Sequence, residues 1–197
     1  MRQSAGGRQY IFNDYVMTKK FRSKEIIDGE IIRYAPPRRI HQKVCLSIAA
    51  QLYGMLEDTP YEVYTAPFVV RLGEPDGNIM RNSKTVIEPD ISVICDTGKL
   101  DMWGCKGAPD LIIEILPPKK QGYDTVMKYN LYSDAGIREY WIVDPEKQTA
   151  EVFFRDENDI LAPVQTYGSN ERVRINILGE QYVDLNRVFP DTTIRPR

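Results

Sequence analysis

Residues Gly107–Pro145 read GAPDLIIEILPPKKQGYDTVMKYNLYSDAGIREYWIVDP. Leu111, Ile112, Ile113, Ile115 and Leu116 form a nearly unbroken apolar run, the pattern of a strand buried on both faces. Pro117-Pro118 ends it. A helix is expected near 122–134, stopped by Gly136, and a second apolar run, REYWIVD, follows at 138–144. The stretch therefore reads strand, helix, strand. Two acids interrupt the first strand, Asp110 at its entry and Glu114 within it. A buried carboxylate is costly unless compensated, so Glu114 needs a metal ion, a lysine or an arginine beside it. Arg138 and His41 are also possible ion-pair partners, and exposure at the end of a sheet would remove the need for one.

Upstream, FRSKEIIDGEIIRYAPP (residues 21–37) carries a hairpin signal. Asp28-Gly29 suits a tight turn between strands expected at 22–27 and 30–35. In the next segment Ile40, Val44, Ile48, Leu52 and Leu56 recur every four residues, predicting an amphipathic helix over 38–57. Its first turn holds Arg38, Arg39, His41 and Lys43, and basic charge there opposes the helix dipole. That placement suits an anionic partner, although solvated charges would explain it too. A strand is expected over Val86–Cys95, VIEPDISVIC, with Glu88 and Asp90 at its entry.

The remaining segments are shorter. One or two helical turns are expected within 9–20, and strands at 61–65, 67–72, 149–155, 160–167 and 171–177. Residues 74–78 read as a turn-rich loop. Residues 96–107 read as a glycine-rich loop, in which Trp103 would act as a lid or an anchor. A last helical turn covers Val183–Phe189. Mixed strands with two main helices predict an α/β fold with a mixed central β-sheet and an added N-terminal hairpin. Its length of 197 residues suits a single domain, with loose tails at 1–8 and 191–197.

Composition narrows the partners. Net charge is −2, from 26 basic and 28 acidic residues, so any nucleic-acid contact must be a local basic patch. The three cysteines form no CxxC pair, which argues against a disulfide framework or a zinc ribbon and for a reducing compartment. No apolar run reaches the roughly 18 residues of a membrane span, and MRQSAGGRQYIFNDY lacks a signal-peptide core. A cytoplasmic protein without a membrane partner is expected.

Asp90, Glu114 and Lys128 are the residues that suggest chemistry. Asp90 opens one strand after Pro89, Glu114 lies in the next, and Lys128 sits on the helix between the two runs. Carboxylates from adjacent strands can share one hard divalent cation. A lysine nearby can orient a water molecule or neutralise charge that develops on a phosphoryl oxygen. The plainer reading pairs Lys128 with Asp124, four residues earlier on the same helix. Asp110 competes with Asp90 as the second acid, because residues 110, 112 and 114 share one face of a strand. It could equally serve the turn at its own strand entry.

The order IIDGEI, His41-Gln42 at a helix start, EPDISVICD, GAPDLIIEIL, a lysine-bearing helix, AGIREYWIVDP and TAEVF resembles the Uma-type family of restriction endonucleases, within the PD-(D/E)xK nuclease superfamily. The similarity covers residues 22–155 well and the two ends loosely. It implies a restriction-endonuclease-like core and metal-dependent hydrolysis of phosphodiester bonds in DNA. By resemblance, Asp90 and Glu114 would hold Mg²⁺ or Mn²⁺. Leu116 occupies the usual lysine position of the motif, and Lys128 would supply the missing amine. Glu30 would add an acid, and His41 a phosphate or water contact. Arg38, Arg39, Lys43, Lys119 and Lys120 would touch backbone phosphates. A homodimer would fit an enzyme that cuts two strands. The sequence departs from the family at LPPKK, where small hydroxyl residues are more usual; a nuclease-fold module that only binds nucleic acid or oligomerises is the rival reading.

Overall fold

The computed structural model describes residues 9–17, 24–34, 36–73, 82–117 and 123–189. In chain order these form α1 (Phe12–Met17), β1 (Lys24–Ile27), β2 (Glu30–Arg33), α2 (Arg39–Leu56), β3 (Glu62–Thr65) and β4 (Val69–Leu72). Next come β5 (Thr85–Ile87), β6 (Ile91–Ile94), β7 (Leu100–Asp101), β8 (Gly104–Lys106) and β9 (Leu111–Ile115). The chain continues through α3 (Tyr123–Asp134), β10 (Glu139–Asp144), β11 (Thr149–Arg155), β12 (Leu161–Gly168), β13 (Arg172–Arg174) and β14 (Tyr182–Asp184). The expected tails, the 74–78 loop, and Lys119 and Lys120 lie outside the described residues.

The decisive stretch folds as read, with β9 and β10 paired in parallel and α3 as the crossover. They are central in a six-stranded sheet of order β12-β11-β10-β9-β6-β3. Side-chain alternation sorts each strand between two apolar layers. Leu111, Ile113, Ile115, Trp141 and Val143 pack with Val44, Ile48 and Leu52 of α2 and with Val173, Val183 and Leu185 near the C-terminal end. On the opposite face, Ile112, Tyr140 and Ile142 meet Tyr132 of α3 and Ile27, Val70 and Ile87.

Those last three residues belong to a second six-stranded sheet, of order β2-β1-β5-β4-β8-β7. The mixed α/β architecture with two main helices is thus as expected, and the N-terminal hairpin is integral to this second sheet. Residues Val86–Cys95 divide at Glu88-Pro89-Asp90, so that β5 serves one sheet and β6 the other. Proline has no N–H to offer a ladder, and the chain changes sheet there. It also changes sheet between β3 and β4, around Pro67. The two crossings touch, because Ala66 N–H donates to the Asp90 carbonyl at 3.1 Å.

Smaller differences follow from local pairing. The loop expected over 96–107 contains the β7–β8 hairpin, and Trp103 at its tip meets Phe12 of α1 edge-on, with ring centroids 6.3 Å apart. Near the end of the chain, Tyr182–Asp184 pairs with β13 before a 3₁₀ turn at Leu185–Arg187, in place of one helical turn from Val183.

Candidate active site

Alternation turns Glu114 away from the α2 side and toward Tyr132 and Tyr140. Only 9% of its surface is exposed. One carboxylate oxygen, Oε1, accepts from Lys128 Nζ at 2.7 Å and from Tyr132 Oη at 2.5 Å. Lys128 and Tyr132 are four residues apart on α3, so one helix face delivers both donors. The compensating group for the buried acid is therefore Lys128, and neither Arg138 nor His41 pairs with it. Burial lifts the Glu114 pKa to about 7; Lys128 pulls it down, while Asp90 and Glu25 push it up. Burial disfavours the Lys128 charge, but Glu114 and then Glu25 outweigh it and hold the ammonium well above its usual range. The Asp124 side chain, the alternative partner for Lys128, lies outside the described residues.

Asp90 reaches the same place from β6. Ile91 pairs with Ile113, and one step further along this antiparallel register Asp90 stands opposite Glu114. Cross-strand neighbours lie about 5 Å apart at Cβ, which explains how two acids distant in sequence converge. Asp90 Oδ2 accepts from Ile115 N–H at 2.8 Å and lies 3.1 Å from His41 Nε2. His41 comes from the first turn of α2 and is buried, with no partner on Nδ1 among the described residues. Burial pushes its pKa down, but the bond to Asp90 and the charges of Asp90 and Glu114 win, and the imidazole titrates above its usual value. His41 thus lies behind Asp90, within hydrogen-bonding distance of its Oδ2.

Asp110 is committed elsewhere. Its Oδ2 accepts from Cys95 N–H at 2.7 Å and its Oδ1 from Arg138 at 3.1 Å, tying the start of β9 to its neighbours. Glu30 pairs with Ile27 beside the hairpin turn and is half-buried. The acid of that hairpin that reaches Lys128 is Glu25, with Oε1 3.6 Å from Nζ. Glu25 is 4% exposed and was not anticipated. The sequence marks it as it marks Glu114, with a carboxylate beside an isoleucine pair in a short strand. Arg38, Arg39 and Lys43 are exposed around the start of α2, one turn or less from His41.

Asp90 Oδ1 and Glu114 Oε2 accept no hydrogen bond among the described residues, and the two side chains keep 17% and 11% of their area exposed. The free oxygens, on adjacent strands beside a cluster in which Glu25, Asp90 and Glu114 face one lysine, suit a hard divalent cation. Such an ion takes one or two protein carboxylates and completes its shell with water and phosphate oxygens. Among the described residues, no group of three or more His, Cys, Asp and Glu side chains is arranged to hold a metal ion. No helix among them is long and apolar enough to cross a membrane.

A crystal structure described as "a putative nuclease belonging to DUF820" from Anabaena variabilis ATCC 29413 superposes with a TM-score of 0.69 over 91% of this chain and 97% of that one. At 17% identity the likeness concerns the fold. Two uncharacterized proteins of Synechocystis sp. PCC 6803 are similar in sequence. The protein slr1290 is 20% identical over 157 residues, covering 79% of this chain and 77% of its own. The protein sll1609 is 24% identical over 139 residues, covering 69% and 72%. The model of the Uma2 family, described as "Putative restriction endonuclease", matches residues 15–186, and this chain belongs to that family.

Proposed function

We propose that the protein is a metal-dependent endonuclease that hydrolyses phosphodiester bonds in DNA. The observation that supports this reading best is the convergence of Asp90, Glu114 and Lys128 where the start of β6 lies beside the end of β9. Asp90 Oδ1 and Glu114 Oε2 would hold Mg²⁺ or Mn²⁺, which when bound acidifies water and stabilises charge on a phosphoryl oxygen. Lys128, kept protonated by its acidic neighbours, donates to the attacking water or to a phosphate oxygen and does not serve as a base. His41 and the Ile115 amide hold Asp90 in register. Arg38, Arg39 and Lys43 contact flanking phosphates. Glu30 stays a candidate outer acid on the hairpin face that carries Glu25.

Calorimetric titration of Mn²⁺ into the wild-type chain, Asp90→Ala and Glu114→Ala, run beside plasmid nicking, tests the proposal. The wild type should bind at millimolar metal or below and nick DNA, and both variants should lose both properties. Absence of divalent binding by the wild type would sink the metal mechanism. Metal binding without nicking would favour a nuclease-fold module that binds nucleic acid, a reading supported by the two-carboxylate ligand set and the ion pair that already neutralises Glu114.

A further inference from the structure

The residue before Pro89-Asp90 is held more firmly than a connector requires. Glu88 receives the phenol of Tyr15, from α1, on Oε1 and that of Tyr34, just past β2, on Oε2 at 2.8 Å. Its own N–H donates to Glu25 Oε1 at 3.2 Å, the same oxygen that lies 3.6 Å from Lys128 Nζ. One residue is thus tied to α1, to the hairpin and to the acid that partners the site lysine. Pro89 fixes its own φ and restricts the residue before it. The backbone torsions on either side of the Glu88–Pro89 bond are therefore restricted, which limits how the chain enters Asp90.

We propose that Glu88, clamped by Tyr15 and Tyr34, is a positioning residue that sets Asp90 against the Ile115 amide and Glu25 against Lys128. The N-terminal helix α1 then acts as part of the site, reaching it through Tyr15. This inference deepens the nuclease reading and rests on it for its catalytic meaning, but the geometry it asserts can be measured without metal or DNA. Neither phenol touches the reacting atoms, and the clamp works through backbone stiffness.

The Ile115 amide is the reporter, because it donates to Asp90 Oδ2 at 2.8 Å. Amide hydrogen exchange on the full chain should show Ile115 exchanging about tenfold faster in the Tyr15→Phe/Tyr34→Phe double variant, the factor that losing one hydrogen bond implies. Trp141 and Ile142, in the centre of the sheet, should be unchanged. Glu88→Ala should match the double variant, and Glu88→Gln, which keeps an acceptor oxygen, should recover part of the protection. In nicking assays kcat should fall about tenfold with KM unchanged, the mark of lost preorganisation. Tyr34→Phe alone serves if the double variant does not fold. Unchanged Ile115 exchange would overturn the clamp, as would equal acceleration across β9 and β10, which would mean a general structural role. Failure of the wild type to bind Mn²⁺ or nick DNA would instead defeat the nuclease reading, while the Ile115 measurement still decides the clamp.

Discussion

Glu114 is the residue at which stability and chemistry conflict. Its folded pKa of about 7 lies above the ordinary 4.5, because burial and the neighbouring Asp90 and Glu25 oppose its charge more than Lys128 favours it. An acid raised on folding contributes stability that is complete below the unfolded pKa and lost as pH rises through the folded one. The metal-free protein should therefore lose melting temperature between about pH 4.5 and pH 7 from this group. In Glu114→Gln that part of the slope should disappear. Mn²⁺ affinity should run the other way, rising toward pH 7 as the proton leaves; titrations at pH 5.5 and 7.5 check the sign. Lys128→Met should lower kcat about a hundredfold, the usual cost of one electrostatic donor, measured by nicking at saturating metal. Asp110→Ala separates the two Pro-Asp pairs. It should cost about 2 kcal/mol in urea unfolding through its lost bonds to Cys95 and Arg138, while Mn²⁺ affinity stays unchanged.

At the scale of elements, α2 shows which packing dominates. Ile48 is fully buried between the central sheet and the C-terminal segment, whereas Leu46 on the outer face is 69% exposed. Ile48→Ala should cost about 3 kcal/mol in denaturant unfolding, and Leu46→Ala less than about 0.5 kcal/mol. The same periodicity made α2 readable from sequence, as the apolar runs did for β9 and β10. What stayed hidden depended on pairing partners. Val86–Cys95 reads as one strand because each half is apolar, and only the partners of β5 and β6 reveal that Pro89 divides two sheets. Asp90 and Lys128 were legible through family spacing. Glu25 carries the same local mark as Glu114, but its part at the site depends on a second sheet folding over the first, which no local pattern encodes. The family resemblance implied a phosphate or water contact for His41, and its burial beside Asp90 is a tertiary fact that no local pattern carries.

For the whole molecule, the C-terminal segment closes one side of the core and steadies the helix that carries His41. Val173, Ile175, Val183, Leu185 and Val188 pack into the layer that contains Val44 and Ile48. Ser47 Oγ donates to the Arg187 carbonyl at 2.6 Å, and Asp184 N–H donates to Gln51 Oε1 at 2.9 Å. The segment is fastened to the sheet by Glu139, which is fully buried and accepts from Trp141 Nε1, Asn176 Nδ2 and Ile177 N–H at 2.8–3.0 Å. Burial raises the pKa of this acid, and those donors offset part of the effect. Glu139→Ala strands three donors at once, and each unsatisfied buried group costs about 1–3 kcal/mol. The least costly relief is local: the segment after Gly168 can detach while β9, β10 and β11 keep their ladders. Limited trypsin digestion of Glu139→Ala should therefore cut first at Arg172, Arg174 and Arg187 and leave a sheet fragment. Because α2 then loses its fastening on one side, Mn²⁺ affinity should fall in the same variant although Glu139 is not a ligand. Simultaneous cleavage across the chain would show instead that the two sheets and the C-terminal segment unfold as one unit.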